Sequence, residues 1–424
     1  MEIKPKPKKE LKKENLKNSA KTLVLESNIH GLSKVIVRNR LSFRLTWLII
    51  IIVSSCLCVY YVVENALEFT NYDTVTKIDI IKEAQSQFPT VSICSYNDTK
   101  FHFSLLEMRF NYESLKHEWG KYMTTYNDSR YGKCYRFNSG KNLTNHKVDI
   151  LNSTTRGYSY GLSLELYVPS HLSHNDFGEL KIFIHNNTMI PPNLFNKGIF
   201  IKSGSYNFFS IRRTFEKKLE EPFNHCYKNV SNFNGNNRLI KYIQTQNRIY
   251  SQDECFQLCQ NLKYIETSKC HCTLNSLDDV IKTTCMNKRT KSEEVINCSR
   301  HFLQDFQKNN PFELCSEYCP LECDSIKYEI THDHMPMPTS GPVSNGFYLK
   351  HFKTYENISK NFFALNVFYE DLKYTLITQH PKMQLFGLIS SIGGIFSLFL
   401  GMSLLSFIEI FEIFLETIFI LFDK

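Results

Sequence analysis

The sequence lacks the short motifs that mark most enzymes. Its 424 residues contain no Gly-x-Ser-x-Gly nucleophile turn, no P-loop, no paired-histidine metal helix and no internal repeat. Charged residues are also missing from two long stretches, although the formal net charge of the whole chain is +8. These absences argue against an enzyme and against a cofactor, and they favour a membrane protein.

Two uncharged, apolar stretches are each long enough to cross a bilayer. The first, residues 45–63, suffices for a hydrocarbon core of about 30 Å. The second begins at Leu385 and continues beyond Phe407. A signal peptide is a weaker interpretation of the first stretch, because no small-residue cleavage site follows it. We therefore predict transmembrane helices over residues 45–64 and 385–420.

The charge of the N-terminus predicts the orientation of the chain. Residues 1–44 contain twelve Lys or Arg and four Glu, so the positive-inside rule places them in the cytoplasm. Their basic residues are expected to contact anionic membrane lipids. Two crossings return residues 421–424 to the cytoplasm and leave residues 65–384 outside the cell. The sequence thus predicts a multi-pass protein with both termini in the cytoplasm.

Glycosylation sequons agree with this orientation. Eight Asn-x-Ser/Thr sequons lie between the two apolar stretches and none lies outside them. The candidate sites are Asn97, Asn127, Asn142, Asn152, Asn186, Asn229, Asn297 and Asn357.

Twelve of the fourteen cysteines lie in the same middle region. An even number of cysteines in an oxidising compartment predicts up to six disulfides. Zinc binding around Cys270-His271-Cys272 or by Cys255 and Cys259 is a weaker alternative, because paired CxxC knuckles are absent.

The middle region combines strand-like and helix-like patterns. The segments "FPTVSIC", "GLSLELYVP", "ELKIFIHN" and "FFALNVFYEDLKYT" have the β-branched and aromatic composition of strands. Ser251 followed by Glu254 forms a capping-box signature that predicts the start of a helix, and "SRHFLQDFQK" predicts another. We therefore interpret residues 250–325 as a helical module stapled by disulfides.

Five short motifs occur in order along the chain. They are "SNIHGL" at 27–32, "VTKID" at 75–79, "FPTVSICSYN" at 88–97, "SRYGKCYRFNSG" at 129–140 and "IGGIFSLFLGMSLLSFIEIFE" at 392–412. Together they resemble the degenerin, epithelial sodium channel and acid-sensing ion channel superfamily, most closely its acid-sensing and invertebrate peptide-gated branch. An ATP-gated trimer shares the topology but differs in cysteine spacing and carries basic ATP-binding motifs that are not seen here.

The resemblance implies an α+β membrane protein with two transmembrane helices and a large ectodomain. That ectodomain would combine a β-rich palm, a helical thumb and a finger reduced to about 40 residues between Cys94 and Cys134. The assembly would be a homotrimer or a heterotrimer with related subunits. The implied disulfides are Cys94–Cys134, Cys226–Cys323, Cys255–Cys319, Cys259–Cys315, Cys270–Cys298 and Cys272–Cys285.

The second apolar stretch has a pattern of small residues that suits a pore. Ser391, Gly394, Leu398 and Gly401 follow i, i+3, i+7, i+10 spacing, so one helical face contains all four. Small residues at this spacing also permit tight helix packing, which is the simpler alternative for any single glycine.

Three carboxylates continue the same stretch. Glu409, Glu412 and Glu416 follow i, i+3, i+7 spacing, so they form an acidic face. A carboxylate at mid-bilayer costs about 2.5 to 3.5 kcal/mol on insertion scales, which favours a position facing water or protein. Threefold symmetry would make each position a ring that attracts cations. Alternatively, the helix has already reached the cytoplasmic interface at these residues.

The resemblance assigns further roles within the pore. It identifies Gly401-Met402-Ser403 as the selectivity filter, where the second span breaks and restarts. His30-Gly31 would form a re-entrant gating segment, and Ser390 matches a position whose bulk holds degenerin-type channels open. The outer mouth at residues 390–394 would bind amiloride. The expected permeant ion is Na⁺, carried across the plasma membrane.

Departures from the resemblance bear on gating. Acid-sensing relatives hold facing carboxylates between finger and thumb, whose shared protons make closure pH-dependent. Neutral or basic residues stand at the aligned positions, namely Thr74, Thr188, Met189, Arg300 and Gln304. Asp305 is the nearby substitute. We therefore expect opening by an extracellular ligand such as a neuropeptide; a constitutive channel, a mechanically gated channel and an accessory subunit remain alternatives.

One histidine pair has no role in the channel that the resemblance implies. His332 and His334 in "THDHMPMP" have side chains suited to a divalent ion, yet such a pair is more often part of a solvated loop. The sequence alone assigns no metal site.

Overall fold

The computed structural model divides the chain into two units, which are described separately: residues 1–75 with 380–424, and residues 76–379. The described residues are 34–35, 40–95, 102–128, 132–169, 179–187, 189, 198–228, 238–245, 250–267, 301–302, 304–306, 308–337, 352, 355–406, 408–409, 411–412 and 415.

Seven α-helices have defined bounds within the described ranges. They are α1 Leu41–Thr70, α2 Trp119–Tyr122, α3 Arg238–Thr245, α4 Gln252–Thr267, α5 Pro311–Cys315, α6 Tyr355–Asn361 and α7 Leu385–Leu400. A short 3-10 helix covers Lys116–Glu118.

Sixteen β-strands have defined bounds within the described ranges, and nearly all of their residues lie in the second unit. They are β1 Thr74–Lys82, β2 Ser86–Gln87, β3 Thr90–Ser95, β4 Ser104–Phe110, β5 Glu113–Ser114, β6 Met123–Asp128, β7 Gly132–Phe137, β8 Asn152–Ser153, β9 Leu162–Tyr167, β10 Glu179–His185, β11 Ile199–Lys202, β12 Ser205–Lys217, β13 Cys226–Tyr227, β14 Leu321–Glu322, β15 Asp324–Pro336 and β16 Phe362–Pro381. The four segments predicted as strands correspond to β3, β9, β10 and β16, so those predictions are confirmed.

Two apolar helices belong to the first unit. The 30 residues of α1 extend about 45 Å, and among the described residues α1 alone is both long and apolar enough to cross a bilayer. It is longer at both ends than the predicted 45–64. The 16 residues of α7 extend about 24 Å. The two helices pack together, with the rings of Tyr61 and Phe399 stacked at 5.7 Å.

The larger sheet has seven strands in the order β15-β12-β16-β9-β4-β5, with β1 added alongside β16. Strand β12 pairs with β15 in antiparallel register over its whole length, and with β16 in parallel. The second sheet has five strands in the order β11-β10-β3-β7-β6, all joined in antiparallel pairs. Strand β15 therefore forms an edge of the larger sheet.

One hydrophobic core contains side chains from both sheets. Alternate residues of β9 are buried, as expected for a strand with one face against a core. The core joins Phe209 of β12 and Tyr369 of β16 with Ile93 of β3 and Phe137 of β7. The two sheets thus stabilise each other by burying their apolar faces.

The helical module has the cap that its sequence predicts. The Ser251 hydroxyl accepts a hydrogen bond of 3.2 Å from the Glu254 backbone amide, and α4 follows at once. Helical residues also occur at 301–302, 304–306 and 308, within the second predicted helix. After α5, strand β14 pairs with β13 in a separate two-stranded sheet, and β15 of the larger sheet begins at Asp324, at the end of the interpreted module.

Four of the implied disulfides are present. Cys94 and Cys134 lie opposite each other on β3 and β7 and are bonded. The other three are Cys226–Cys323, Cys255–Cys319 and Cys259–Cys315. The proposed pairs Cys270–Cys298 and Cys272–Cys285 lie outside the described residues.

Candidate pore segment and gating surfaces

The second apolar segment breaks after α7. Gly401 has φ of +66°, the left-handed conformation that glycine adopts with least strain. The amides of Gly401 and Met402 hydrogen-bond back to carbonyls of the last α7 turn, at 3.0 and 3.4 Å. Residues 401–403 are not helical. The chain therefore leaves the helical path within its most apolar stretch.

Ser403 restarts the helix. Its Oγ accepts a hydrogen bond of 3.4 Å from the Ser406 amide, while the Ser403 amide donates to Ser406 Oγ at 3.1 Å. This reciprocal pattern resembles a capping box, with serine in place of the usual glutamate. Residues 404–406 are again helical. A backbone that is broken and restarted in this way presents carbonyl oxygens outside the regular helical ladder, where they can replace part of the hydration shell of a cation.

The surface of α7 has two distinct faces. Residues 388, 391, 392, 395, 396, 399 and 400 are partly buried and follow helical spacing, whereas residues 389, 390, 393, 394, 397 and 398 are exposed. Leu398 is 80% exposed. The predicted pore-lining set is therefore divided, because Ser391 and Gly401 are partly buried while Gly394 and Leu398 lie on the exposed face. Ser390 is exposed on the same face.

The predicted acidic face is described in part. Glu409 and Glu412 are exposed and lie in short helical stretches after the break. Glu416, His30 and Gly31 lie outside the described residues.

Within the first unit, Lys382 lies just before α7 and contacts residues at the C-terminal end of α1. Its Nζ lies 2.7 Å from Glu68 Oε1 near the end of α1 and 3.7 Å from Asp73 Oδ2. Its backbone amide also donates to the Asp73 carbonyl at 2.8 Å. The hydrogen bond to Glu68 raises the pKa of Lys382. Sequence reasoning missed this cluster, although a basic residue just before an apolar segment is a signal for it.

A family comparison identifies the chain. A family model described as amiloride-sensitive sodium channel matches residues 23–129 and 104–413, which include the break after α7. The chain belongs to the amiloride-sensitive sodium channel family. The family consists of membrane channels and not of enzymes, so the prediction that this chain is not an enzyme is confirmed.

Several channel proteins are similar to this family member. Acid-sensing ion channel 1A of Danio rerio is 24% identical, over 91% of this chain and 85% of its own length. Degenerin-like protein unc-105 of Caenorhabditis elegans is 23% identical, over 68% of this chain and 32% of its own. Epithelial sodium channel subunit gamma of Pelodiscus sinensis is 28% identical, over 69% of this chain and 42% of its own.

A solved cryo-EM structure of a proton-activated chloride channel gives a TM-score of 0.31 at 6% identity, covering 83% of this chain and 91% of that one. A likeness at this score supports no argument.

Arg213 on the larger sheet forms an ion pair that sequence reasoning missed. Arg213 of β12 is 5% exposed and pairs with Glu83, which also accepts a hydrogen bond from Ser86 Oγ at 2.7 Å. The guanidinium lies over the rings of Phe215 and Tyr374, at 4.9 and 5.5 Å. The pair joins β12 to the segment after β1, across 130 residues of sequence. No local pattern predicts a contact over that separation.

The positions where the resemblance places the acid-sensing groups of relatives are described in part. Thr74 begins β1, Met189 is partly buried, and Gln304 is exposed. Asp305 is also exposed and accepts a hydrogen bond of 3.2 Å from Asn309 Nδ2. Thr188 and Arg300 lie outside the described residues.

One buried histidine bears on pH sensitivity. The His185 ring is buried between Ser92 Oγ, 2.8 Å from Nε2, and the Asn186 carbonyl, 2.9 Å from Nδ1. Burial lowers the pKa of His185 to about 3, with a smaller contribution from Arg136 in the same direction. The ring is therefore neutral over the physiological range and cannot act as a proton sensor there.

Proposed function

We propose that this chain is a subunit of a trimeric, amiloride-sensitive, sodium-preferring cation channel of the plasma membrane. The observation that carries the proposal is the helix break at Gly401-Met402-Ser403, which lies within an apolar segment of a sodium-channel family member. The chain would cross the membrane with α1 and with the segment that begins at α7. Both termini would be cytoplasmic.

The residues have separate roles in this proposal. Gly401, Met402 and Ser403 form the filter, where exposed carbonyls of three copies contact Na⁺. The pore wall comprises Ser391, Gly394, Leu398, Glu409, Glu412 and Glu416. His30, Gly31 and Ser390 control the gate. Amiloride would block at the outer mouth near residues 390–394.

We propose opening by an extracellular ligand such as a neuropeptide, rather than by protons. Two features support this: the aligned acidic positions carry Gln304 and Met189 instead of carboxylates, and His185 is buried as a neutral ring. Constitutive and mechanical opening are the competing gating proposals.

A heteromeric accessory subunit is a second candidate. The observation that favours it is the similarity to a protein named as subunit gamma of the epithelial sodium channel, at 28% identity. A chain of this kind would conduct only together with related subunits.

The test is current recording from cells that express the chain alone and with related subunits. Steps to about pH 5 and a library of amidated peptides are applied in turn, each with and without amiloride. Peptide-evoked, amiloride-blocked sodium current supports the proposal. A large transient current evoked by the acid step would contradict the gating proposal. Current that appears only on co-expression would favour the accessory subunit.

Gly401→Ala tests the filter assignment. An L-residue at φ of +66° is strained by about 1 kcal/mol, equivalent to a factor of about five in a two-state population. We expect a changed ratio of sodium to potassium permeability. Gly387→Ala is the matched control, because Gly387 lies in the regular part of α7, where an added Cβ meets only Met383 Cγ at 4.0 Å. Unchanged selectivity in both variants would remove Gly401 from the filter.

A further inference from the structure

His332 and His334 are not in a loop, as their sequence context suggested, but on the edge strand β15. Residues two apart on a strand point to the same face. The two imidazole rings lie with centroids 6.1 Å apart and planes 26° from parallel. His332 is partly buried and His334 is exposed, so the pair is accessible at the edge of the sheet.

The neighbours of His332 determine which ring nitrogen carries the proton. Nε2 of His332 lies 3.1 Å from Oδ1 of Asn207 on β12. The Asn207 amide nitrogen donates to the carbonyls of Ser205 and Ala364 and to Ser205 Oγ, which fixes the orientation of the amide. Oδ1 can only accept, so Nε2 of His332 is protonated. The lone pair of a neutral His332 is therefore on Nδ1.

The same ring is held by packing. Phe209, which is fully buried, stacks against His332 at 4.6 Å between centroids and 14° between planes. A histidine that ligates a metal usually donates its other ring N–H to a carbonyl or carboxylate oxygen, which fixes its orientation. The Asn207 carbonyl oxygen and the Phe209 ring together provide this support for His332.

We propose that His332 Nδ1 and the imidazole of His334 bind one divalent transition-metal ion, with zinc as the physiological candidate. Imidazole nitrogens favour zinc, copper and nickel over calcium and magnesium, which prefer oxygen ligands. Two imidazoles on one tetrahedral zinc, at N–Zn distances of about 2.0–2.1 Å, have centroids about 5 Å apart, so the exposed His334 side chain needs to move by about 1 Å while His332 stays in place.

The site has coordination positions open to solvent. Among the described residues no cluster of three or more His, Cys, Asp or Glu side chains is placed to hold a metal ion, so water completes the coordination. Asp333 lies between the two histidines in sequence but on the opposite face of the strand.

The experiment measures zinc binding to the full-length protein in detergent, purified without a polyhistidine tag, by titration calorimetry. His334→Ala is the main variant, because an exposed side chain is removed and the fold is left intact. His332→Ala is the second variant, with its thermal unfolding measured alongside. His225→Ala is the control, since the His225 side chain is 97% exposed and lies outside β15.

We expect His334→Ala and His332→Ala each to weaken zinc binding at least tenfold, while His225→Ala leaves it unchanged. Copper and nickel should compete for the site, and calcium should not. Equal zinc affinity in wild type and His334→Ala would overturn the proposal, as would displacement of zinc by calcium. Because the readout is binding, this result is independent of whether the chain conducts current.

Discussion

At the scale of single residues, two left-handed backbone positions have different explanations. Gly401 has φ of +66° at the end of a helix, where the absence of a Cβ is sufficient. Asn138, near the end of the motif at residues 129–140, has φ of +60° and is buried. Its amide donates to the Phe88 carbonyl at 2.7 Å, and its Oδ1 accepts from the Leu151 amide at 2.8 Å. The Asn138 side chain therefore stabilises the left-handed backbone conformation of its own residue.

His185 allows a prediction about acid at the same scale. Its pKa is about 3 in the folded protein, below the ordinary value of 6.5. Between these values the unfolded chain binds a proton that the folded chain does not, so stability falls as pH falls below about 6.5. At pH 5 the loss from this residue is about 2 kcal/mol. His185→Gln, which cannot be protonated, should lack this part of the acid sensitivity.

The measurement is the denaturation temperature of the detergent-solubilised protein at about pH 7.5 and pH 5. Wild type should lose more stability between the two values than His185→Gln does. His225→Gln serves as the control for an exposed histidine. If wild type and His185→Gln respond equally to acid, the buried histidine is not the cause.

At the scale of elements, helix α4 is held by two disulfides one turn apart. Cys255 and Cys259 bond to Cys319 and Cys315, and all four sulfurs belong to one buried cluster that includes Phe256. Among the described residues this cluster is smaller than the core between the two sheets, and the covalent links add to the stability that its packing provides.

Removing one link should loosen α4 selectively. Because the Cys255–Cys319 bond remains, loss of the Cys259–Cys315 bond opens a ring of only about ten residues, which costs about 3 kcal/mol in the chain-entropy account. The double variant Cys259→Ser with Cys315→Ser avoids an unpaired thiol. Hydrogen exchange should become faster in α4 and stay unchanged in β12.

Cys56→Ser is the control for this experiment, because Cys56 is a free cysteine. Equal exchange in α4 of the double variant and wild type would show that packing alone holds the helix.

At the scale of the whole molecule, the exposed face of α7 bears on assembly. Phe386 and Leu398 are more than 75% exposed in a single chain, and an added Cβ at Gly393 or Gly394 meets nothing within 4 Å. In a trimer this face would surround the pore and contact neighbouring copies. Small residues allow helices to approach closely there.

We therefore predict three copies per channel. Single-molecule photobleaching of a fluorescent fusion in the plasma membrane should give at most three steps per spot. A covalently linked tandem dimer of the chain provides a calibration standard for two. A distribution that requires four steps would be incompatible with the trimer, and one that never exceeds two would be incompatible with a homotrimer.

The sequence by itself determined what depends on neighbouring residues. Apolar runs, the Ser251 cap and the strand-forming segments are local patterns, and local hydrogen bonding and burial determine the structures that they predict. The resemblance added the four disulfides that are present and the position of the break at Gly401.

Only the tertiary structure decided what depends on contacts between distant segments. The parallel pairing of β12 with β16, the ion pair of Arg213 with Glu83, and the alignment of His332 on Asn207 each join residues more than 100 positions apart. Such contacts form because backbone pairing within the larger sheet and burial of its face bring these segments together, and no periodicity within any one segment records its partner.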